Sequence, residues 1–350
     1  LYAGIDQSLF MATDVADMSI RALDMCQLGP ILARDVNALM GGAPVTAMFV
    51  QNVNPADVAP DTRSVRDGLA RNDLFLCVHE QFMTETAKFA DIVLPATMFV
   101  EHEDFYRGGG HVYLQVHRAI IEPYEECWSN SDVINALGQR LGSNHPAFSM
   151  SGVELIDASL KASGLPGFEK AADQRWINFA KCFEDAHFLN GFGHPDGKFH
   201  FAADWSAISA DNDLLPRLPD HAAITDEASE AKPFRLIAPP ARRFLNTSFT
   251  EMPSSRVREV GPEVLIHPDA CKRLGLSDGD RVRLGNDLGS VVLPVKIFDG
   301  LQRDVVVVEG IWPSEYFEEG LGINVLISAD RPQPLGGGVF HDTSVWVKAG

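Results

Sequence analysis

The chain has 350 residues, 45% hydrophobic and 22% charged, with a formal net charge of −19. That composition belongs to a soluble globular protein with core enough for two or more domains. The acidity excludes non-specific binding to nucleic acid or to an anionic membrane surface, which need basic patches. It leaves room for an anionic ligand held by backbone N–H groups and a few local Arg residues.

The five cysteines, Cys26, Cys77, Cys127, Cys182 and Cys271, form no CxxC pair. Neither an iron–sulfur nor a zinc site can be read from them. They read as scattered buried thiols in a reducing compartment. No apolar run approaches the ~20 residues of a membrane helix, so direct membrane insertion is not expected. The first residues, from Leu1, read as mid-domain sequence and suggest a fragment of a longer polypeptide. A cytoplasmic location is expected, with the periplasm left open.

In chain order, residues 1–40 are helical in pattern, with Ile20, Leu23, Met25, Leu28, Ile31 and Leu32 on one face and an interruption at Gly29-Pro30. Gly41 to Pro44 is a turn. Val45 to Val50 is a continuous apolar run, the mark of a strand buried on both faces. Thr62 to Leu69 reads as a helix capped by Asp61 or Thr62. Leu74 to Val78 is a second buried strand, Thr84 to Phe89 a short helix, and Asp91 to Pro95 a third strand. Strands separated by helices predict a parallel, doubly wound sheet. Its ligand-facing loops lie at Gln51–Pro55, His79–Thr84 and Pro95–Thr97. Val112 to Ile121 reads as strand, and Ser129 to Leu141 as a helix capped by Ser129 or Asn130.

Residues 145–232 are rich in Pro, Gly and Asp, with short helices expected at Leu155–Leu160, Trp176–Phe179 and Asp220–Ala228. From Pro233 the pattern changes. Strands are expected at Phe234–Ala238, Glu263–Ile266, Arg281–Asn286, Gly289–Val295, Val305–Glu309 and Val345–Lys348, with a short helix at His267–Leu274. Ser277-Asp278-Gly279-Asp280 is a turn in which Gly279 supplies a positive φ. Short strands and frequent glycine predict a closed or nearly closed β-barrel. The expected divisions are 1–44, the helical end of a preceding α/β domain; 45–148, an α/β region; 149–232, an irregular connection; and 233–350, the barrel.

Several constellations carry chemistry. Asn54, with Pro55 after it, suits a nucleobase edge or a phosphate-flanking turn, and equally an ordinary Asn-Pro turn. Glu80, just after a strand, can accept N–H bonds from guanine or ribose. Thr84 and Thr86 can cap a helix and offer hydroxyls to phosphate, or cap it with no ligand. Glu101-His102-Glu103-Asp104 reads as solvated loop charge, so no metal site is assigned. Arg107-Gly108-Gly109-Gly110-His111 lacks the spacing of a phosphate loop and reads as a turn. The loop from Pro240 to Ser248 gathers Arg242, Arg243, Asn246 and Ser248, a set that suits a phosphate or a surface loop. Asn324 follows Gly320-Leu321-Gly322 and can meet a polar heterocycle. His341-Asp342 suits a structural or ligand-orienting role, and no nucleophile triad stands out.

The order of these motifs carries more than any one of them. Asn54-Pro55, then Thr84-Glu85-Thr86-Ala87-Lys88-Phe89-Ala90-Asp91-Ile92-Val93-Leu94-Pro95, then Arg107-Gly108-Gly109-Gly110, then a β-rich tail with Asp280-Arg281-Val282 and Gly322-Ile323-Asn324, resembles the C-terminal half of the molybdopterin oxidoreductases of the dimethyl-sulfoxide-reductase superfamily. The likeness covers residues 45–145 and 233–350. It implies a partial doubly wound parallel-sheet α/β domain, holding pterin dinucleotides, followed by a C-terminal double-psi-like β-barrel. It implies bis-molybdopterin guanine dinucleotide with molybdenum or tungsten, bound by Asn54, Pro55, Glu80 (where the family usually has Asp), Thr84, Thr86, Arg242, Asn246 (where His is commoner), Ser248 and Asn324. The family's [4Fe-4S] cysteines and its metal ligand lie in a first half not found here. That missing N-terminal half and an electron-transfer partner are therefore the expected partners, and the chain alone is expected to be inactive. A stand-alone cofactor-binding or assembly module without redox turnover is the alternative. A sheet cut mid-domain should leave apolar faces uncovered, whereas residues 233–350 are expected to fold alone.

Overall fold

A computed structural model describes residues 17, 19–108, 111–178, 182–202, 204, 205, 207, 215, 218, 226–332 and 336–350. Its contacts divide the chain into two compact units built from discontinuous segments, which cut across the four divisions read from the sequence. One comprises residues 1–21, 79–82 and 94–202; the other comprises 22–78, 83–93 and 203–350. The Asp220–Ala228 helix expectation falls largely outside the described residues.

A three-stranded parallel sheet has the order β1 (Ala47–Gln51), β2 (Phe75–Glu80), β3 (Ile92–Pro95). Helices α1 (Leu28–Leu32), α2 (Pro55–Val58) and α3 (Thr62–Leu69) accompany it. Pro30 lies inside α1, so Gly29-Pro30 does not interrupt the helix as expected; a proline in a first turn forfeits no helical N–H bond. Gly29 is needed there, because a Cβ would come 2.9 Å from the Ser64 Cβ. Ile20 and Met25, assigned to the buried face of this segment, are exposed. The cap of α3 is Asp61, whose carboxylate accepts from the Ser64 N–H.

Leu32, Val50, Val65, Leu69, Leu76 and Val78 form the core of this layer. The strands are not buried on both faces as the apolar runs suggested: Phe49 is 37% and Phe75 49% exposed. An apolar run fixes the chemistry of both faces of a strand but does not supply the layer that covers them.

In the other unit, β4 (Asp104–Arg107), β5 (Tyr113–His117) and β6 (Trp176–Asn178) form an antiparallel sheet in that order. Trp176 therefore lies in a strand, paired with Gln115, and not in the expected helix; three residues are too few for a period to decide. Helices α4 (Asn130–Arg140), α5 (Gly152–Ala162), α6 (Phe168–Gln174) and α7 (Phe183–Ala186) follow their own signals. Ser129 with Asp132 and Ser151 with Glu154 form capping boxes. The segment after residue 149, read as irregular, thus begins with ordered helices. Leu114, Val116, Ile156, Leu160 and Phe168 make the core between them.

The C-terminal region is a closed six-stranded barrel of β7 (Phe234–Ile237), β8 (Val264–Ile266), β9 (Arg281–Gly285), β10 (Ser290–Ile297), β11 (Val305–Val307) and β12 (His341–Ala349). Two helices interrupt them, α8 (Pro253–Arg258) and α9 (Pro268–Leu274). The order around the barrel is β10-β8-β11-β7-β12-β9. The β10–β8 and β11–β7 pairs are parallel and the others antiparallel. Leu236, Val264, Ile266, Val282, Leu284, Val306 and Val345 fill the interior. Gly279 has the expected positive φ, +84°. Gly285 has no room for a side chain: a Cβ would meet the Trp346 ring at 2.4 Å and the Gly289 carbonyl at 2.8 Å. Among the described residues no helix is long and apolar enough to cross a membrane.

The barrel interior sets a stability prediction. Leu236→Ala removes a fully buried side chain and is expected to cost about 3 kcal/mol, read as a lowered denaturant midpoint. Lys296→Ala on the exterior, which loses only a surface contact with Glu263 at 3.7 Å, is expected to change stability by less than about 0.5 kcal/mol.

Candidate functional site

The loop after β1 is built around Asn54. Its Oδ1 accepts from the Thr86 N–H at 3.0 Å and from the Thr86 hydroxyl at 2.7 Å. Its Nδ2 donates to Asp57 Oδ2 at 3.0 Å and to Thr247 Oγ1 at 3.4 Å. The Thr86 hydroxyl in turn accepts from the Ala56 N–H at 3.0 Å. Both side chains are buried, and their polar atoms are occupied by protein. Asn54 and Thr86, expected to meet a ligand or else to serve a turn and a cap, here hold the loop that starts α2 at Pro55. Thr84 Oγ1 accepts from the Ala87 N–H at 3.2 Å, where the 3-10 turn Ala87–Phe89 begins.

Asp57 is the residue that sequence reasoning missed. It is 1% exposed. Its Oδ1 accepts from the Ser314 hydroxyl and, at 3.2 Å, from the Ser314 N–H, in the chain segment after β11. Arg66 stands 3.9 Å away and also reaches Glu85 at 3.4 Å. Burial pushes the Asp57 carboxyl above the usual carboxylate range, against the hydrogen bonds from Ser314 and Asn54, with the Glu85 charge adding to the rise. The signal available in the sequence was an acidic residue in the first turn after Asn-Pro, which alone reads as a helix-dipole partner.

Asn324 is also 1% exposed. Its Nδ2 donates to the Val58 carbonyl at 2.8 Å and the Asp57 carbonyl at 3.4 Å. Its Oδ1 accepts no hydrogen bond among the described residues. Asn324 lines a cavity of about 670 Å³ together with Pro55, Val58, Asn246, Ile311 and His341. The cavity wall is mostly apolar, with Asp24 and His341 as its acidic and imidazole groups and, among the described residues, no Lys or Arg. Apolar walls with few convergent polar groups suit a heterocyclic ligand.

Pro239 and Pro240 of the cavity wall lead directly to Arg242 and Arg243. Both are exposed, and their guanidinium groups make no ion pair among the described residues. Asn246 has φ +49° at the tip of a turn closed by Leu245 and Ser248, whose backbones exchange hydrogen bonds of 3.1 and 2.7 Å; the two side chains are exposed.

The structure therefore brings Asn54, Pro55, Thr86, Asn246 and Asn324 to one region. Glu80 belongs to the other unit, where its Oε1 accepts from the Gln81 N–H at 2.8 Å. Glu101, read as solvated charge, is buried: it accepts from the Met98 N–H at 2.6 Å and the Tyr124 N–H at 2.9 Å, and so clamps two loops. Asp342 pairs with Arg235 and makes no dyad with His341. The thiols are not uniformly buried. Cys271 is buried, Cys182 is exposed, and the others lie between. Burial pushes Cys26, Cys77, Cys127 and Cys271 up, toward the unreactive thiol. Among the described residues no cluster of His, Cys, Asp and Glu is arranged to hold a metal. Gly109 and Gly110 of the glycine turn lie outside them.

Comparison with known proteins places this geometry. Residues 17–140 match the family model described as molybdopterin oxidoreductase. Residues 234–344 match the molydopterin dinucleotide binding domain. The chain is 32% identical over 321 residues to the probable oxidoreductase YoaE of Bacillus subtilis (strain 168), covering 91% of this chain and 45% of that protein. It is 25% identical to the trimethylamine-N-oxide reductase of Haemophilus influenzae, covering 77% of this chain and 36% of that one. The chain thus spans less than half the length of these relatives. In fold it is similar to acetylene hydratase from Pelobacter acetylenicus, with a TM-score of 0.75 and 19% identity over 92% of this chain and 46% of that one.

The raised carboxyl of Asp57 predicts a pH dependence. A group whose folded value is raised contributes stability that is complete below its unfolded value and is lost as pH rises through the folded one. Asp57→Asn removes both that contribution and a hydrogen-bond acceptor. Its melting temperature should therefore fall further below the parent's at about pH 4 than at about pH 7. An equal deficit at the two pH values would show that Asp57 titrates alike in the folded and unfolded chain.

Proposed function

Since the chain belongs to the molybdopterin oxidoreductases of the dimethyl sulfoxide reductase type, we propose that it binds bis-molybdopterin guanine dinucleotide carrying molybdenum or tungsten, with a heterocyclic part of that cofactor in the cavity. The full protein would then be an enzyme that oxidises or reduces a substrate by two electrons. The observation that carries the reading is the Asn324 carbonyl oxygen: a buried residue, at the wall of a 670 Å³ cavity, with an acceptor that no described protein group uses. An acceptor that no protein group uses, on a residue lining a cavity, is open to a ligand's N–H. That acceptor fits an N–H of the heterocyclic part of such a cofactor, and the lack of cations among the described wall residues agrees with a neutral ring system rather than a phosphate.

When bound, the cofactor supplies two-electron chemistry at its metal, which side chains alone cannot perform. The protein's own residues bind and orient. Asn324 Oδ1 would accept an N–H of the cofactor's heterocycle. Arg242, with Arg243 beside it, offers charge-assisted donors to phosphate outside the cavity; both guanidinium groups are exposed and make no ion pair among the described residues. Asn246 and Ser248 offer an exposed amide and hydroxyl in the same loop. Thr84 keeps a hydroxyl proton to donate. Asn54, Pro55 and Thr86 act by holding the loop. The metal's protein ligand and the [4Fe-4S] cluster would be supplied by polypeptide beyond these residues. That polypeptide would also cover the apolar face of the β1–β2–β3 sheet that carries Phe49 and Phe75.

The test is to purify the protein with all that its gene encodes and assay metal, iron, pterin and guanine nucleotide. Molybdenum or tungsten with guanine at the bis-dinucleotide ratio is the expected result. A folded protein free of pterin, guanine and metal would overturn the reading. A protein with pterin and guanine that never turns over would point to a carrier or assembly module. Arg242→Ala is expected to lower guanine retention about tenfold, the loss of one charge-assisted hydrogen bond, while Lys296→Ala retains it.

A further inference from the structure

We infer that Asp57 is a positioning residue of the cavity: it fixes Asn54 and Asn324 so that Asn324 turns only its carbonyl oxygen to the ligand, and the cavity therefore takes a ring edge that donates N–H. The geometry stands by itself; only the identity of the ligand rests on the cofactor reading.

The orientation of Asn324 follows from what surrounds it. The carbonyl oxygens of Asp57 and Val58 can only accept hydrogen bonds. Asn324 must present its NH2 group to them, at 3.4 and 2.8 Å. The reversed amide would set three oxygens against one another with no proton among them. The carbonyl end of the side chain is thus left for the cavity that Asn324 lines. An acceptor there pairs with amide-type or amino N–H groups, as on an aminopyrimidinone edge, and rejects an edge made of acceptors alone.

This arrangement depends on where the main chain of Asp57 and Val58 lies. That in turn is set by the Asp57 side chain. One carboxylate oxygen takes two donors from Ser314, which is 257 residues away in sequence, and the other takes the Asn54 amide. Asn54 has no choice of orientation either, because its Oδ1 already accepts twice from Thr86. A carboxylate has acceptor sites for all these donors and no proton to misplace. An Asn at position 57 has a single oxygen, so it must forfeit either Ser314 or Asn54. The exchanged pair, Asn54→Asp with Asp57→Asn, restores the bonds that join positions 54, 57, 86 and 314; the Thr247 hydroxyl donates to the new carboxylate at position 54 where it had accepted, and only the 3.9 Å approach of Arg66 loses its charge partner. The Asp at 54 accepts from Thr86 and from the new Asn amide, and that Asn's oxygen accepts from Ser314.

The experiment compares four proteins: the parent, Asn54→Asp, Asp57→Asn and the exchanged pair. In the ligand-free chain, labelled with 15N at Asn side chains, hydrogen exchange of the Asn324 NH2 group is read by NMR. Asp57→Asn is expected to accelerate it about tenfold or more, for loss of one buried hydrogen bond, and the exchanged pair to return it to the parent's rate. In the cofactor-loaded full protein, pterin and guanine retention should fall and recover in the same pattern. A merely structural defect would not be repaired by exchanging the two side chains. If Asp57→Asn fails to fold, Ser314→Ala, which deletes one hydroxyl, takes its place in the exchange measurement and should accelerate it. Unchanged Asn324 protection in the single variants, or no recovery in the exchanged pair, overturns the inference. A parent protein that carries no pterin or guanine overturns the cofactor reading instead, while the exchange rates still decide the role of Asp57.

Discussion

A carboxylate removed from water must be given hydrogen bonds in exchange, and Asp57 is where this chain meets that demand. Its partners come from three parts of the chain: Asn54, three residues back in the loop after β1, Arg66 on α3, and Ser314, 257 residues on in the segment after β11. The two bonds from Ser314 cannot be supplied by local structure. The side chain therefore fixes the α/β layer and the barrel of this unit in one arrangement, and the cavity wall is a consequence. Hydrophobic burial stabilises each layer separately, through Leu76 and Val78 in one and Leu236 and Ile266 in the other. Apolar contact is tolerant of small shifts, whereas a buried carboxylate with two directional partners is not.

Charge is distributed to the same end. The cavity wall is apolar with a few polar atoms, and the guanidinium groups of Arg242 and Arg243 stand in the loop that follows it. Many Arg and Lys side chains are matched to carboxylates, as in Arg66 with Glu85, Lys88 with Glu85, Arg283 with Glu319 and Lys232 with Asp287. Arg242 and Arg243 are not, and their place in the loop after the cavity wall makes them a better guide to an anionic group than the net charge of the whole chain, which has the opposite sign. Local arrangement governs recognition at short range, since salt screens exposed charges beyond about 10 Å.

The sequence was most legible where structure is local. The α3 cap at Asp61, the Ser129 cap of α4, the positive φ of Gly279 and all six barrel strands depend on neighbouring residues, and each was visible as a short pattern. It was less legible where a few residues join a partner far away. Trp176 is in a strand because Gln115 is beside it. Glu101 is buried because Met98 and Tyr124 need an acceptor. Phe49 and Phe75 are exposed although their strands read as fully buried. Of the site, the order of motifs showed which loops matter, but not what each side chain does in them. Asn54 and Thr86 were expected to meet a ligand, and they meet each other.

What the sequence by itself determined is the alternation of elements, the closed barrel and the family resemblance, because periodicity, caps and turn residues act over a few positions and survive in any context. Which polar atoms remain available to a ligand was decided only by the tertiary structure. Asn54 and Asn324 are the same residue type after similar turns. One is saturated by Thr86, Asp57 and Thr247, while the other keeps its carbonyl oxygen for the cavity. A hydrogen bond needs its partner within about 3 Å, and only the folded chain sets those distances between residues more than 250 positions apart.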